Sequence, residues 1–406
     1  MSDFDIIVFG ATGFTGRLVA EYIAKQKPKR WAIAGRNREK LEALGFDVPI
    51  VVADALDPAQ CADVARKTRV VCTTVGPFSK YGSELVAACA EAGTHYCDLT
   101  GEVHWMRQMI DAHHARAKQT GARIVHACGF DSIPSDLGTW AVQEEFRQRF
   151  GRPARKVTAF YGETSGGFSG GTYASMFVVA EAMDDEQTRR VLRNPHSLDP
   201  DPEAPHPDAD RRVIGWDPTM KMFFVPFVMA ETNTRVVRRG HALAGFPWGN
   251  DFVYREVMST PGNVRGALMA ATITSTLAGA AAALKRPWLR GKLQKRVPKP
   301  GEGPSQEQRE RGHWKVRFLA EDGDDKLVYI VGDSHGDPGY TSTAKMLGES
   351  ALCLAYDALE SQGGVTTPSI AMDGALVERL RKAGIVFEAS EPYAAETVPA
   401  GDQRAG

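Results

Sequence analysis

Phe4-Asp5-Ile6-Ile7-Val8-Phe9-Gly10-Ala11-Thr12-Gly13-Phe14-Thr15-Gly16 is the stretch on which the fold depends. Residues 6–9 are a short β-forming run and 14–25 carry a helical pattern, so the three glycines fall between a strand and a helix. There Gly10 makes the turn, Gly13 lets the backbone approach a pyrophosphate, and Gly16 allows the helix to pack closely on the strand. The first N–H groups of a helix have no acceptor inside it. With the positive end of the helix dipole they offer the loop, including Thr12, Phe14 and Thr15, as a seat for two phosphates. A glycine triplet alone also fits a tight turn in an unrelated chain; the flanking strand and helix give it meaning.

Working outward, 31–34 is a second strand and completes a βαβ unit. Asn37 can cap a helix running to Leu44, 49–52 is a strand, 58–66 a helix and 70–74 a strand. A helix from Ser83 is closed by Gly93, 94–97 is a strand, 102–119 a helix closed by Gly121, and 123–126 a sixth strand. This alternation predicts an α/β fold, with an N-terminal Rossmann-type doubly wound parallel sheet.

The second strand ends in Ala34-Gly35-Arg36-Asn37, where a chain selecting NAD would place a carboxylate for the ribose 2′-hydroxyl. Arg36 can instead pair with a 2′-phosphate, with Asn37 beside it and Arg17 and Lys40 adding charge, so NADPH is expected over NADH. The competing reading of Arg36 is an exposed charge near a cap. Asp54 is placed either to accept from an adenine amino group or to close a solvated turn. Thr74-Val75-Gly76-Pro77-Phe78 follows the fourth strand at the carboxyl edge, where its small residues suit a nicotinamide ribose.

After Asp136 the rhythm breaks. The expected division is 1–135 for the dinucleotide domain, 136–338 for an α+β substrate or dimerisation domain, and 339–406 for C-terminal helices. Runs at 314–319 and 327–331 flank Asp322-Gly323-Asp324-Asp325 and predict a hairpin in an antiparallel sheet. Residues 194–210 and 299–308 are expected as surface loops. Residues 266–284 are uncharged and rich in Ala, Thr and Leu, and a basic run follows to Arg296. This segment reads as a membrane span, as a buried or subunit-interface helix, or as an element meeting anionic headgroups or an acidic carrier protein.

The 406 residues, 43% hydrophobic, suffice for two or three domains. A formal net charge of −1 gives no basic nucleic-acid-binding surface. Six cysteines without a CxxC pair or a metal-like Cys/His grouping argue against a disulfide scaffold and a metal site. With no signal-peptide pattern before the first strand, the expected location is the cytoplasm, with peripheral membrane contact through 266–296 left open.

Residues 10–16, 34–37 and 74–78, together with His95-Tyr96-Cys97-Asp98-Leu99-Thr100-Gly101-Glu102 and Cys128-Gly129-Phe130-Asp131-Ser132-Ile133-Pro134-Ser135-Asp136, resemble the saccharopine dehydrogenase-like oxidoreductases. Residues 300–305 and 339–346 resemble the trans-acting enoyl reductase group within them. The resemblance implies a nicotinamide-dependent reductase, in the enoyl reductase case acting on the double bond of a lipid intermediate carried by a polyketide synthase. It also implies C-terminal helices that return to the dinucleotide domain. It carries no catalytic residue with it.

Reducing an enoyl thioester needs a hydride, a donor for the developing enolate oxygen, and a proton for the α-carbon. Asp131 and Ser132, after the sixth strand, are the first candidates. Tyr173 is a proton donor from the second domain or a packing residue, and His126 a satisfied structural histidine or a proton carrier. An imine or carbonyl reductase and a non-catalytic NADPH-binding protein at a lipid surface remain alternatives. The expected partners are a small-molecule or acyl-chain substrate, free or on a carrier protein, and a second copy in a homodimer.

Overall fold

The computed structural model describes residues 2–390 apart from 165–169, 207, 211–213, 285, 287, 289, 290 and 292–302. The apolar runs of the first third become strands that are buried on both faces in the middle of the sheet, as parallel strands between two helical layers must be, with the edge strand partly exposed at Val52. They are β1 (Phe4–Phe9), β2 (Trp31–Gly35), β3 (Ile50–Val52), β4 (Thr68–Thr73), β5 (His95–Cys97) and β6 (Arg123–Val125). Between them run α1 (Phe14–Gln26), α2 (Arg38–Glu42), α3 (Pro58–Lys67), α4 (Phe78–Tyr81), α5 (Ser83–Ala92) and α6 (Val103–Thr120). Asn37 caps α2 by accepting from the Lys40 N–H at 2.9 Å, and Gly93 closes α5 in a left-handed conformation.

The remaining elements, in chain order, are α7 (Ile133–Phe150), β7 (Lys156–Thr164), α8 (Gly170–Ala182), α9 (Glu186–Arg193), β8 (Gly215–Asp217), β9 (Met222–Pro226), α10 (Ala230–Leu243), β10 (Val253–Thr260) and α11 (Val264–Leu284). After them come α12 (Gln306–Glu310), β11 (Trp314–Asp322), β12 (Asp325–Asp333), a single π-turn (Pro338–Ser342), α13 (Thr343–Tyr356), β13 (Gly364–Thr366), α14 (Pro368–Lys382) and β14 (Val386–Ser390).

The first sheet has the order β13-β6-β5-β4-β1-β2-β3 and every pairing in it is parallel. Alternate residues serve opposite faces: Ile6 and Val8 pack with Val19 and Ile23 of α1, and Ile7 and Phe9 with Val64, Leu85 and Trp105 of α3, α5 and α6. The strand order reverses between β1 and β4, which opens a crevice at their carboxyl ends. The chain returns late, when α13 packs against α1, β1, β4 and β5, and β13 adds the edge strand beyond β6.

The second sheet has the order β14-β12-β11-β7-β10-β9-β8 and is antiparallel except between β7 and β10. Its hairpin turns at Gly323-Asp324, with Gly323 at φ 63°. Helix α7 links the two sheets, packing on β11 and β12. Residues 194–210 depart from the surface loop expected of them: His196, Ser197, Leu198, Asp199 and Asp208 are buried, because Arg107 and α10 draw the segment inward. No helix among the described residues is long and apolar enough to cross a membrane. Helix α11 instead lies exposed at Val264, Leu268 and Met269.

Candidate active site

The glycine loop stands where the strand order reverses. The Gly10 N–H donates to the Ala34 carbonyl of β2, and the Thr74 N–H to the Phe9 carbonyl, so the ends of β1, β2 and β4 are tied at one point. Two glycines are required by space. A Cβ on Gly16 would lie 2.1 Å from the Gly10 carbonyl oxygen, and one on Gly10, at φ +91°, would lie 2.6 Å from Val75 Cγ2. Helix α1 therefore begins hard against the loop. Gly13 is its N-cap with no side-chain cap, and no acidic residue stands in the first turn. The N–H groups of Phe14, Thr15 and Gly16 thus keep their donors for an outside acceptor, the donor set a diphosphate needs.

Beyond β2, Arg36 is exposed and forms no ion pair among the described residues, and Lys40 stands exposed one turn along α2. Arg17 pairs with Glu21 at 2.8 Å, whereas Arg36 and Lys40 stand exposed at the end of β2. The Asn37 oxygen is occupied by its capping bond. Asp54 closes its own turn by accepting from the Leu56 N–H at 3.0 Å. On the β4 side, Thr74, Val75, Gly76 and Pro77 form the rim. Buried Glu102 accepts from the Phe78 and Ser79 N–H groups at 2.8 and 3.0 Å and so fixes that rim from below. Ser175 of α8 donates to the same carboxylate at 3.2 Å. Tyr173 lies in α8, but its side chain is outside the described residues.

Sequence reading missed the cover of the crevice. The Phe14 ring meets Tyr340 edge-on at 5.1 Å, and Arg309 of α12 lies over the same ring at 5.6 Å. Thr343 accepts from the Phe130 N–H at 3.1 Å, and Ser342 donates to Asp333 at 2.9 Å. Residues 338–343 therefore join the glycine loop to the loop after β6. The motif at 339–346 signalled their importance, though not their place.

In the loop between β6 and α7 stands Asp131. Burial, with the Asp98 carboxylate nearby adding to it, raises its pKa to about 6. Ser132 is fully buried and donates to Asn233 Oδ1 at 3.0 Å; Asn233 donates in turn to Glu256 at 3.0 Å, and Tyr254 donates to Glu256 at 2.7 Å. Beside them Ser135 and Tyr161 share a hydrogen bond of 2.7 Å. Burial raises the Glu256 pKa to about 7. An amide between two groups does not relay a proton, so this network orients Ser132. His126 meets Asp98 at 2.8 Å, and Asp98 also accepts from Tyr96 and from the Thr100 and Ala127 N–H groups. His126 is thereby held in the core beside Trp105.

The saccharopine dehydrogenase NADP-binding domain family matches residues 6–125. A trans-acting enoyl reductase of Mycobacterium ulcerans is 38% identical, over 96% of this chain and 98% of its own. One of Mycobacterium tuberculosis is 39% identical, over 95% and 97%. A second Mycobacterium tuberculosis protein, assigned only provisionally as a trans-acting enoyl reductase, is 42% identical over 95% and 97%. Among solved structures, apo saccharopine dehydrogenase (L-Glu forming) from Saccharomyces cerevisiae superposes with a TM-score of 0.53 at 13% identity, covering 95% of this chain and 99% of that one, and so shares the fold.

Proposed function

The chain belongs to the saccharopine dehydrogenase-like family, in the group of the trans-acting enoyl reductases, and from that premise we propose that it is an NADPH-dependent reductase of enoyl thioesters on lipid or polyketide-type acyl chains. The observation that carries the cofactor reading is the uncapped start of α1 beside an exposed Arg36 that has no ion-pair partner among the described residues. When bound, NADPH supplies a hydride for the β-carbon of the substrate. The amides of Phe14, Thr15 and Gly16 hold the diphosphate, and Arg36 and Lys40 receive the 2′-phosphate. Glu102 keeps the Thr74–Pro77 rim in place beside the ribose. Asp131, whose pKa of about 6 leaves part of it protonated near neutrality, holds the proton for the α-carbon. Ser132 positions the start of α7. The exposed apolar face of α11, followed by a basic run that lies largely outside the described residues, is assigned to the acyl carrier or an anionic lipid surface.

The test is oxidation of NADPH by the purified protein with enoyl, imine and carbonyl substrates in parallel. Consumption with an enoyl thioester, and formation of its saturated product, is expected. Tight NADPH binding with turnover confined to imines or carbonyls would sink the enoyl reading while leaving the cofactor site intact.

A further inference from the structure

We propose that His196, Asp199 and His206 form a site for one divalent transition-metal cation of the zinc class, far in character from the dinucleotide crevice. The three lie in the segment between α9 and β8 with the spacing His-x2-Asp-x6-His, two imidazoles and one carboxylate, a donor set that suits zinc. Local turns fold this segment on itself: the Asn194 side chain accepts from the His196 N–H at 2.8 Å and donates to the Pro202 carbonyl at 2.9 Å. The ligand atoms then fall within 4.8 Å of one another. His196 Nδ1 is 2.8 Å and His206 Nε2 3.6 Å from Asp199 Oδ2, and the two rings stack with centroids 3.9 Å apart. Metal–nitrogen and metal–oxygen bonds of about 2.0–2.2 Å put tetrahedral ligand atoms roughly 3.3–3.6 Å apart, so binding an ion requires the 2.8 Å contact to lengthen and the two stacked rings, whose lone pairs lie in their own near-parallel planes, to splay until both face it.

Three further observations favour an ion over a self-contained polar cluster. Side-chain exposures are 9% for His196, 3% for Asp199 and 14% for His206, yet Asp199 Oδ1 and His206 Nε2 have no hydrogen-bond partner among the described residues. Buried polar atoms in native proteins are rarely left so. The other nitrogen of His196 is already committed, its Nε2 lying 3.0 Å from the Asp208 carbonyl, while the Asp208 carboxylate holds Arg238 at 2.8 Å. That is the outer support by which metal-binding imidazoles are fixed in tautomer and orientation. The cavity these residues line, with His241 and Phe246 among its walls, is about 20 Å³, room for one water-sized species and no organic ligand. His241 repeats the pattern: Nε2 meets the Gly249 carbonyl at 3.0 Å and Nδ1 is unpartnered among the described residues.

The site's task is structural. Arg107 of α6 donates to the Ser197 and Asp199 carbonyls at 3.2 and 3.0 Å, and Arg239 of α10 donates to both the Leu198 and Val365 carbonyls. A cation there fastens the buried segment over the seam between α6 and β13 of the first sheet and α10.

The experiment is metal analysis of the full-length protein as purified, then removal with a chelator and titration with Co²⁺ and Zn²⁺. One metal ion per chain, intense visible Co²⁺ bands of tetrahedral character, and a Zn²⁺-dependent rise in Tm are expected. His206→Asn and Asp199→Asn should weaken Zn²⁺ binding by more than the ~10–100-fold that loss of an outer support costs, with NADPH affinity unchanged as the check on folding. A wild-type protein that takes up neither ion, leaving a buried water as the occupant, overturns the site. So does a folded His206→Asn protein that binds Zn²⁺ as wild type does.

Discussion

The dinucleotide crevice and the acid cluster at the start of α7 are built by opposite means. The crevice is made of backbone: amides of three successive residues, glycines where no Cβ fits, and exposed cations at the end of β2. The cluster is made of side chains alone, with Ser132, Asn233, Tyr254 and Glu256 gathered from α7, α10 and β10 and all buried. A backbone site fails when space is filled, and it recognises charge without itself titrating. A side-chain site fails when one partner is left unpaired, and its stability follows pH.

The sharpest break in that comparison is expected at Asp131, which precedes Ser132 in the loop before α7. Asp131→Asn should lower kcat for enoyl reduction by about 10²–10⁴-fold, the range of a lost general acid, with NADPH affinity unchanged. Steady-state kinetics over pH should also show the limb near pH 6 disappear. Wild-type turnover in the variant removes Asp131 from the chemistry.

Glu256 tests the buried region. Its folded pKa of about 7 lies above its ordinary 4.5, so between those values the folded chain binds the extra proton. Stability should therefore fall as pH rises from about 4.5 to about 7, by ~3 kcal/mol at ~1.4 kcal/mol per unit. Asp136, raised by burial to about 7, contributes with the same sign. Glu256→Gln should flatten the slope in denaturant titrations at pH 5 and pH 7.5 and leave NADPH binding alone. An unchanged slope would mean that Glu256 is ionised in the folded state.

Arg36→Ala should weaken NADPH by roughly 10–100-fold, the worth of a charged hydrogen-bonding partner at ~1.5–3 kcal/mol, and NADH hardly at all. Parallel calorimetric titrations give the ratio, and equal losses would remove the 2′-phosphate from this place. The smallest effect belongs to Lys40→Ala, a few-fold loss of NADPH affinity at low salt that shrinks as salt screens the charge. A salt-independent loss would point to packing instead.

Much of the first sheet could be read in advance because a parallel strand is a short apolar run and each helix end carries its own glycine or cap, as at Asn37 and Gly93. What escaped was short or remote. β13 has three residues and starts at Gly364 with φ 139°, and β14 pairs with β12 from the far end of the chain. Arg36, Lys40 and the glycines lie where their spacing put them, whereas Asn37 and Asp54 spend side-chain oxygens on local backbone. Composition could not find the His196–Asp199–His206 cluster, since a Pro- and Asp-rich segment looks solvated until Arg107, Arg238 and Arg239 are seen to draw it in.

The sequence by itself determined the strand–glycine–helix corner and the absence of a carboxylate after β2, because each depends on residues a few positions apart. Only the tertiary structure decided that Tyr340 would cover Phe14, that Thr343 would hold the Asp131 loop, and that Glu256 would reach Ser132 through Asn233. Those contacts join residues a hundred or more positions apart in all but the last step. They form where packing removes water from groups that nothing in their local sequence obliges to meet.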